Sequence, residues 1–139
     1  MSKAGKPKIA REVAEIEFAR LCDAHRIEHD EAELDEAELD EWKAIKAPIV
    51  RALMAGTLIV DESGLPTYTP PGASRGVTFH KATGATFIAL ETYAGAKNLQ
   101  NTIAAMAELT HSDRSEFAKM EAPDFQACLR LTKLFLSER

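Results

Sequence analysis

The sequence predicts an α+β fold, a predominantly helical single domain with a small antiparallel sheet (a β-hairpin or three short strands) in its middle. Apolar residues recur at helical spacings of three and four up to residue 55 and again after residue 84. Between these parts, residues 57–80 hold short apolar, β-branched runs separated by glycine and proline turns. A chain of 139 residues is long enough to bury one core.

The composition is that of a globular protein, with 45% apolar and 28% charged residues. No apolar run approaches the roughly 18 residues of a membrane-spanning helix. The lysines near the start precede no continuous apolar segment, so we expect neither a membrane span nor a secretory signal. Two cysteines, Cys22 and Cys128, make no disulfide framework in a chain of this length, which favours a reducing cytoplasm.

The charge is unevenly distributed. The net charge is −5, yet residues 28–41 alone contain nine acidic residues and no basic one. The remaining lysines and arginines are scattered and form no basic face interleaved with aromatics. Phosphate neutralisation requires such a face, so we expect no nucleic-acid binding.

The first part of the domain, residues 9–55, is predicted to be helical, after a disordered tail at residues 1–8. One helix is expected from Ile9 to about residue 26. Two neighbouring lines of apolar side chains run along it: Val13, Ile16 and the stem of Arg20, and beside them Ala14, Phe18, Leu21 and Cys22.

Residues 28–41 are predicted to be an acidic connector. Their tandem DEAEL repeat has a period of five, which matches neither a helix nor a strand. A second helix is expected from about Leu39 to Gly56, capped by Asp35 or, as second choice, by Asp40. Pro48 inside it predicts a kink, or two helices that meet near Ala47.

The rest of the domain is predicted as a small sheet followed by helices. Strands are expected at 57–60, 65–69 and 77–80, and helices at 85–94 and 98–109. Ser112 or Asp113 is expected to cap a short helix, Asp113 with the capping-box partner Glu116, and Pro123 to open the last helix.

The last helix carries more apolar residues than one helical stripe accommodates, which indicates either burial or an interface. Cys128 is predicted to be a core residue. The candidate partner-binding residues are Phe125, Leu129, Leu131, Leu134, Phe135 and Leu136.

The stretch CDAHRIEHDEAELDEAELDEW raises the possibility of a metal site. Cys22, His25 and His29 would share one helix face, with Glu28 as a base, in the H-x-x-E-H pattern of a zinc hydrolase. The helix would then have to continue into a repulsive acidic run, and 22 acids make a chance match common. The run also lacks the glycine of a calcium-binding loop. We expect no metal.

No other motif predicts catalysis. Ser112 beside His111 lacks the strand–turn–helix context of a nucleophile, and residues 72–76 lack the following lysine of a phosphate-binding loop. His80 and His111 are predicted to be isolated surface or strand-edge residues. We expect no catalytic residue and no cofactor.

The second half of the chain, VTFHKATGATFIALETYAGAKNLQNTIAAMAELTHSDRSEFAKMEAPDFQACLRLTKLFLSER, resembles the phage tail assembly chaperones. The resemblance lies in a short strand, a helix of the NTIAAMAEL kind, a short helix in SDRSEFAKM, and a last helix. That helix begins at the acidic-aromatic pair Asp124-Phe125 and finishes at Leu134-Phe135-Leu136. The resemblance covers roughly residues 57–139, and the residues before them show a looser likeness to the same family.

The resemblance implies a non-enzymatic protein in the cytoplasm of a bacterial host. Such a protein would bind the tape-measure protein and the tail-tube protein during assembly. Two alternatives remain: a small acidic adaptor or regulatory module that binds a basic protein, and, remotely, a zinc hydrolase using His25, Glu28 and His29. The oligomeric state is left open.

Overall fold

The computed structural model describes residues 8–91 and 98–136. Within them lie six helices and one three-stranded antiparallel sheet of strand order β1-β2-β3, which confirms the predicted α+β, mostly helical fold. The elements are α1 (Arg11–Ala24), α2 (Glu36–Ala55), β1 (Leu58–Val60), β2 (Pro66–Tyr68), β3 (Val77–Thr78), α3 (Gly84–Glu91), α4 (Asn98–Thr110), α5 (Arg114–Ala118) and α6 (Ala122–Leu136).

The chain is anchored from Lys8 onward, because the Lys8 backbone N–H donates to the Met54 carbonyl at 2.6 Å. Of the predicted tail, residues 1–7 lie outside the described residues. Helix α1 buries Ala14, Phe18, Leu21 and Cys22. The other apolar line of α1, which contains Val13 and Ile16, faces solvent: Val13 is 45% and Ile16 61% exposed.

Helix α2 begins at Glu36, three residues before the predicted start. The Asp35 carboxylate accepts from the Glu38 N–H at 2.8 Å, and the Glu38 side chain accepts from the Asp35 N–H. This capping box confirms Asp35 as the cap and turns the second DEAEL into the first turn of the helix. The acidic connector is therefore shorter than predicted. The helix dipole stabilises acids at a helix N-terminus and so favours this earlier start of α2.

Helix α2 also continues through Pro48 to Ala55, so the alternative of two helices is wrong. Gly56 follows in the left-handed conformation at φ 86° and ends the helix as expected. The predicted helix at 85–94 is observed to Glu91, and residues 92–94 lie outside the described ones.

The sheet packs one face against helices. In β1, Leu58 and Val60 are buried while Ile59, between them, is exposed. The paired register places Leu58 opposite Tyr68 and Thr67 opposite Thr78. Strand β3 ends at Thr78, earlier than predicted, because the His80 N–H already donates to the Leu109 carbonyl of α4.

Helix α6 packs against both α2 and α4. Its buried residues are Asp124, Cys128, Leu129, Leu131, Thr132, Leu134 and Phe135. Ala122, rather than Pro123, is its first residue. No helix in the described parts of the chain combines the length and the apolar character needed to cross a membrane.

Candidate functional site

The H-x-x-E-H residues do not share a helix face. Helix α1 ends at Ala24, and Arg26 has a left-handed φ of 57°, so the chain has turned away before His29. Cys22 is buried, the His25 ring stacks on Phe135 at 4.3 Å between centroids, and His29 lies 2.8 Å from an Asp23 carboxylate oxygen.

The structure therefore does not form the alignment on which the zinc hypothesis depended. Among the residues that the structure describes, no three His, Cys, Asp or Glu side chains form a group suited to a metal ion. Glu28, the proposed base, instead accepts a hydrogen bond from the Asp30 N–H at 3.1 Å within the loop.

The predicted partner-binding residues of α6 fall into two groups. Leu129, Leu131, Leu134 and Phe135 are core residues, at most 7% exposed. Phe125 and Leu136 are only partly buried. Partner binding by the four core side chains would require α6 to leave its position. Their role in binding stays a prediction, whereas Phe125 is accessible in the folded chain.

Phe125 lies in an open cleft between α4, α5 and α6, which we call the apolar cleft. Its volume is about 510 Å³. Apolar side chains form most of its wall: Ile103, Phe117, Ala118 and Phe125. On the rim, the Arg114 guanidinium donates to the Gln100 amide oxygen at 2.9 Å and links α4 to α5.

More exposed apolar side chains lie on α4 and α3. Leu99, one helical turn before Ile103 on α4, is 49% exposed. Helix α3, which packs mainly on α4, exposes Phe87 by 42% and Ile88 by 71%. No charged residue occurs between Gly84 and Leu90. A water-facing helix surface without charge is typical of an interaction site.

A second cleft, which we call the edge cleft, lies on the other side of α5 and has a volume of about 670 Å³. Residues 75–78 and His80 form one wall, and residues 110–113 with part of α5 form the other. The rings of His80 and His111 stack in this cleft with centroids 4.0 Å apart and planes 6° apart.

This contact corrects the prediction that the two histidines are isolated. Thirty residues separate them, and no local pattern in the sequence links them. Burial, and then the nearby His111, lower the pKa of His80, while Asp61 opposes the shift. The neutral ring is therefore favoured at His80. Ser112 donates to the Thr110 carbonyl at 3.2 Å, which is a turn contact rather than a nucleophile arrangement.

Comparison with known proteins adds no assignment. No protein-family model matches the chain, and no curated protein and no solved structure matches it at a significant level.

Proposed function

We propose that this protein is a phage tail assembly chaperone, a non-enzymatic protein of the bacterial host cytoplasm that binds the tape-measure and tail-tube proteins. The observation that carries the proposal is the apolar cleft, with the exposed residue Leu99 one helical turn from it on α4. An open apolar cleft and, on α3, an exposed helix surface without charge are each typical of a surface for another protein.

The order of elements supports the proposal. The resemblance implies a short strand, an NTIAAMAEL helix, a short helix and a last helix that begins near Asp124. The chain has β3, then α3 and α4, then α5, and then α6. Asp113 caps α5 by accepting from the Ser115 N–H at 3.1 Å.

The shape of the surface indicates how a partner is held. An amphipathic helix binds a groove through apolar side chains at i, i+3, i+4 and i+7. The apolar cleft would accept one such side chain against Phe125 and Ile103, and Leu99 would extend the contact along α4. Covering the apolar face of a partner in this way would keep its helices from aggregating before assembly.

The direct test is co-expression of this chain with the tape-measure protein encoded in the same genome. We expect the two to co-purify as a complex. Leu99→Asp should weaken that complex about tenfold or more, because a carboxylate cannot be buried against an apolar helix without a large desolvation cost. Leu99 is the second residue of α4, where an acidic side chain suits the helix dipole, so folding should be retained.

Ile16→Asp is the matched control. Ile16 is likewise an exposed aliphatic residue on a helix, but it lies on α1. It should leave the affinity within about twofold of wild type. Failure of the wild-type chain to co-purify with the tape-measure protein contradicts the proposed function. Equal effects of both substitutions would place the binding surface elsewhere.

The alternative of an acidic adaptor is favoured by one observation, the exposed acids around the start of α2. Those on the surface are Glu33, Asp35, Glu36, Glu38, Asp40 and Glu41. A basic partner held by them would be released by salt, because exposed charges are screened within about 8–10 Å at physiological ionic strength. Recovery of a salt-sensitive basic protein from a host without the phage would favour this function.

A further inference from the structure

We infer that the free edge of β3 binds an extended segment of the partner protein, which adds to the sheet as a fourth strand. The inference rests on the proposed function, since it assigns a second element of the partner to a second surface. That surface is the edge cleft, which α5 separates from the apolar cleft.

The direction of the backbone groups follows from the sheet register. The Phe79 N–H donates to the Pro66 carbonyl at 2.9 Å, so the backbone N–H of Phe79 points towards β2. Successive residues of a strand alternate in direction, and Thr67 and Thr78 therefore form a non-hydrogen-bonded pair. The N–H and C=O of Thr78 point away from β2, towards the edge cleft.

Within residues 8–91 and 98–136, no loop or helix backbone bonds to these Thr78 groups. Further along, the His80 N–H is taken by the Leu109 carbonyl at 2.8 Å, which closes the edge at that end. The edge is thus open from Gly76 to Thr78 and closed by α4 at His80.

The opposite edge of the sheet, formed by β1, is covered by a side chain of α1. In β1, the Val60 carbonyl points outward by the same alternation, because Thr57 and Asp61 both bond to the β2 side. The Arg20 guanidinium of α1 donates to the Val60 carbonyl at 3.4 Å and to the Asp61 carbonyl at 2.9 Å. Proteins usually cover or charge an exposed edge in this way. Here one edge is covered and the other faces a cleft.

The edge cleft suits an extended backbone. From Gly76 to Thr78 the open edge spans about 7 Å at roughly 3.3 Å per residue, which matches two to three residues of an added strand. The wall carries charges of both signs: Arg75, Lys119, Asp113 and Glu116. Since neither sign dominates, the cleft selects its ligand by backbone hydrogen bonding more than by charge.

The test uses the full chain in complex with the tape-measure protein and follows amide hydrogen exchange by NMR. In the free chain, the Thr78 amide should exchange rapidly, while the Phe79 amide, bonded to Pro66, is protected. In the complex, exchange at Thr78 should slow about tenfold or more, because an added strand accepts from it.

Two substitutions at Thr78 test, without exchange data, whether its outward N–H bonds to the partner. Thr78→Pro removes the outward N–H but no bond to β2, a place where an edge strand tolerates proline. Thr78→Val keeps that N–H. Both lose the hydroxyl contact with Thr67, at 2.7 Å, so the comparison cancels that loss and leaves the missing N–H and the fixed φ of proline. Thr78→Pro should bind the tape-measure protein about tenfold more weakly than Thr78→Val.

Each outcome has one meaning. A complex in which Thr78 exchange is unchanged overturns the inference and leaves the proposed function intact. Equal affinities of the proline and valine variants also overturn the inference and leave the proposed function intact. Absence of any complex with wild type overturns the proposed function and, with it, the inference. Protection of Thr78 in the free chain that grows with its concentration identifies a second copy as the added strand, which overturns the assignment to the partner.

Discussion

At the scale of single residues, one buried hydrogen bond joins the sheet to α6. The Tyr68 hydroxyl donates to an Asp124 carboxylate oxygen at 2.7 Å, and Asp124 is only 8% exposed. Burial, and then the hydrogen bond to Asp124, raise the pKa of Tyr68, so the hydroxyl stays protonated and keeps its role as donor. Asp124 also lies in the first turn of α6, where the helix dipole favours its charge.

Tyr68→Phe should therefore destabilise the fold by about 1–3 kcal/mol, since it leaves a buried carboxylate without its donor. Urea unfolding followed by circular dichroism measures the change in free energy. Asp124→Asn, which retains an acceptor oxygen, should cost less than Asp124→Ala. An unfolding free energy of Tyr68→Phe equal to wild type would show that the bond contributes nothing.

Substitution of two glycines distinguishes the cost of backbone strain from the cost of a steric clash. Gly64 and Gly72 both have a left-handed φ, of 90° and 82° respectively. A side-chain Cβ at Gly64 would lie 2.3 Å from the Ala24 Cβ, whereas one at Gly72 would meet nothing within 4 Å. The two positions thus share the strain and differ in the contact.

Gly72→Ala should cost about 1–2 kcal/mol of stability from strain alone. Gly64→Ala should cost about 1–3 kcal/mol more, because α1 must move away from the turn to admit the methyl group. Chemical denaturation of both variants gives the difference. Similar losses for the two would mean that α1 accommodates the added methyl group freely.

At the scale of elements, the sequence narrowed the cap of α2 to two residues, Asp35 and Asp40, but did not predict the packing faces. Asp35 was predicted, with Asp40 as second choice, because an aspartate before a helical pattern is a favoured N-cap; the reciprocal bond with Glu38 was seen only in the structure. The buried line of α1 was not identified, because Val13 and Ile16 are as apolar as Ala14 and Phe18. The neighbouring Trp42, whose ring lies 5.8 Å from that of Phe18, helps to fix which line faces the core.

Asp35→Ala should destabilise the protein by about 0.5–2 kcal/mol through loss of the capping box. Asp40→Ala is the control, since Asp40 is exposed inside the helix rather than before it, and it should change stability by less than about 0.5 kcal/mol. Thermal and urea unfolding compare the pair. A larger loss for Asp40→Ala would contradict the assigned start of α2.

At the scale of the whole molecule, His25 connects parts that are distant in sequence. Its ring stacks on Phe135 of α6, and the Phe135 ring in turn lies 5.7 Å from that of Phe79 beyond β3. Burial lowers the pKa of His25 below its usual 6.5, although hydrogen bonds to backbone carbonyls, first that of Leu21, oppose the shift. The neutral ring is therefore part of the packing.

This shift has a defined effect on stability. The unfolded chain binds the His25 proton more readily than the folded chain, so stability is full above the unfolded pKa and falls as the pH drops below it. Between about pH 7.5 and about pH 5.5, the free energy of unfolding should decrease, and His25→Gln should reduce that decrease. Urea titrations at the two pH values measure it. A decrease of the same size in His25→Gln would assign it to other groups.

The sequence by itself determined the fold class, the approximate positions of the helices and strands, and Asp35 as the first choice for the cap of α2. These follow from spacings and turn residues within a few positions of each other, and local hydrogen bonding enforces them. Only the tertiary structure placed His80 against His111, Tyr68 against Asp124, and α5 between two clefts. Those contacts join residues that are far apart along the chain, and burying one shared core is what brings them together.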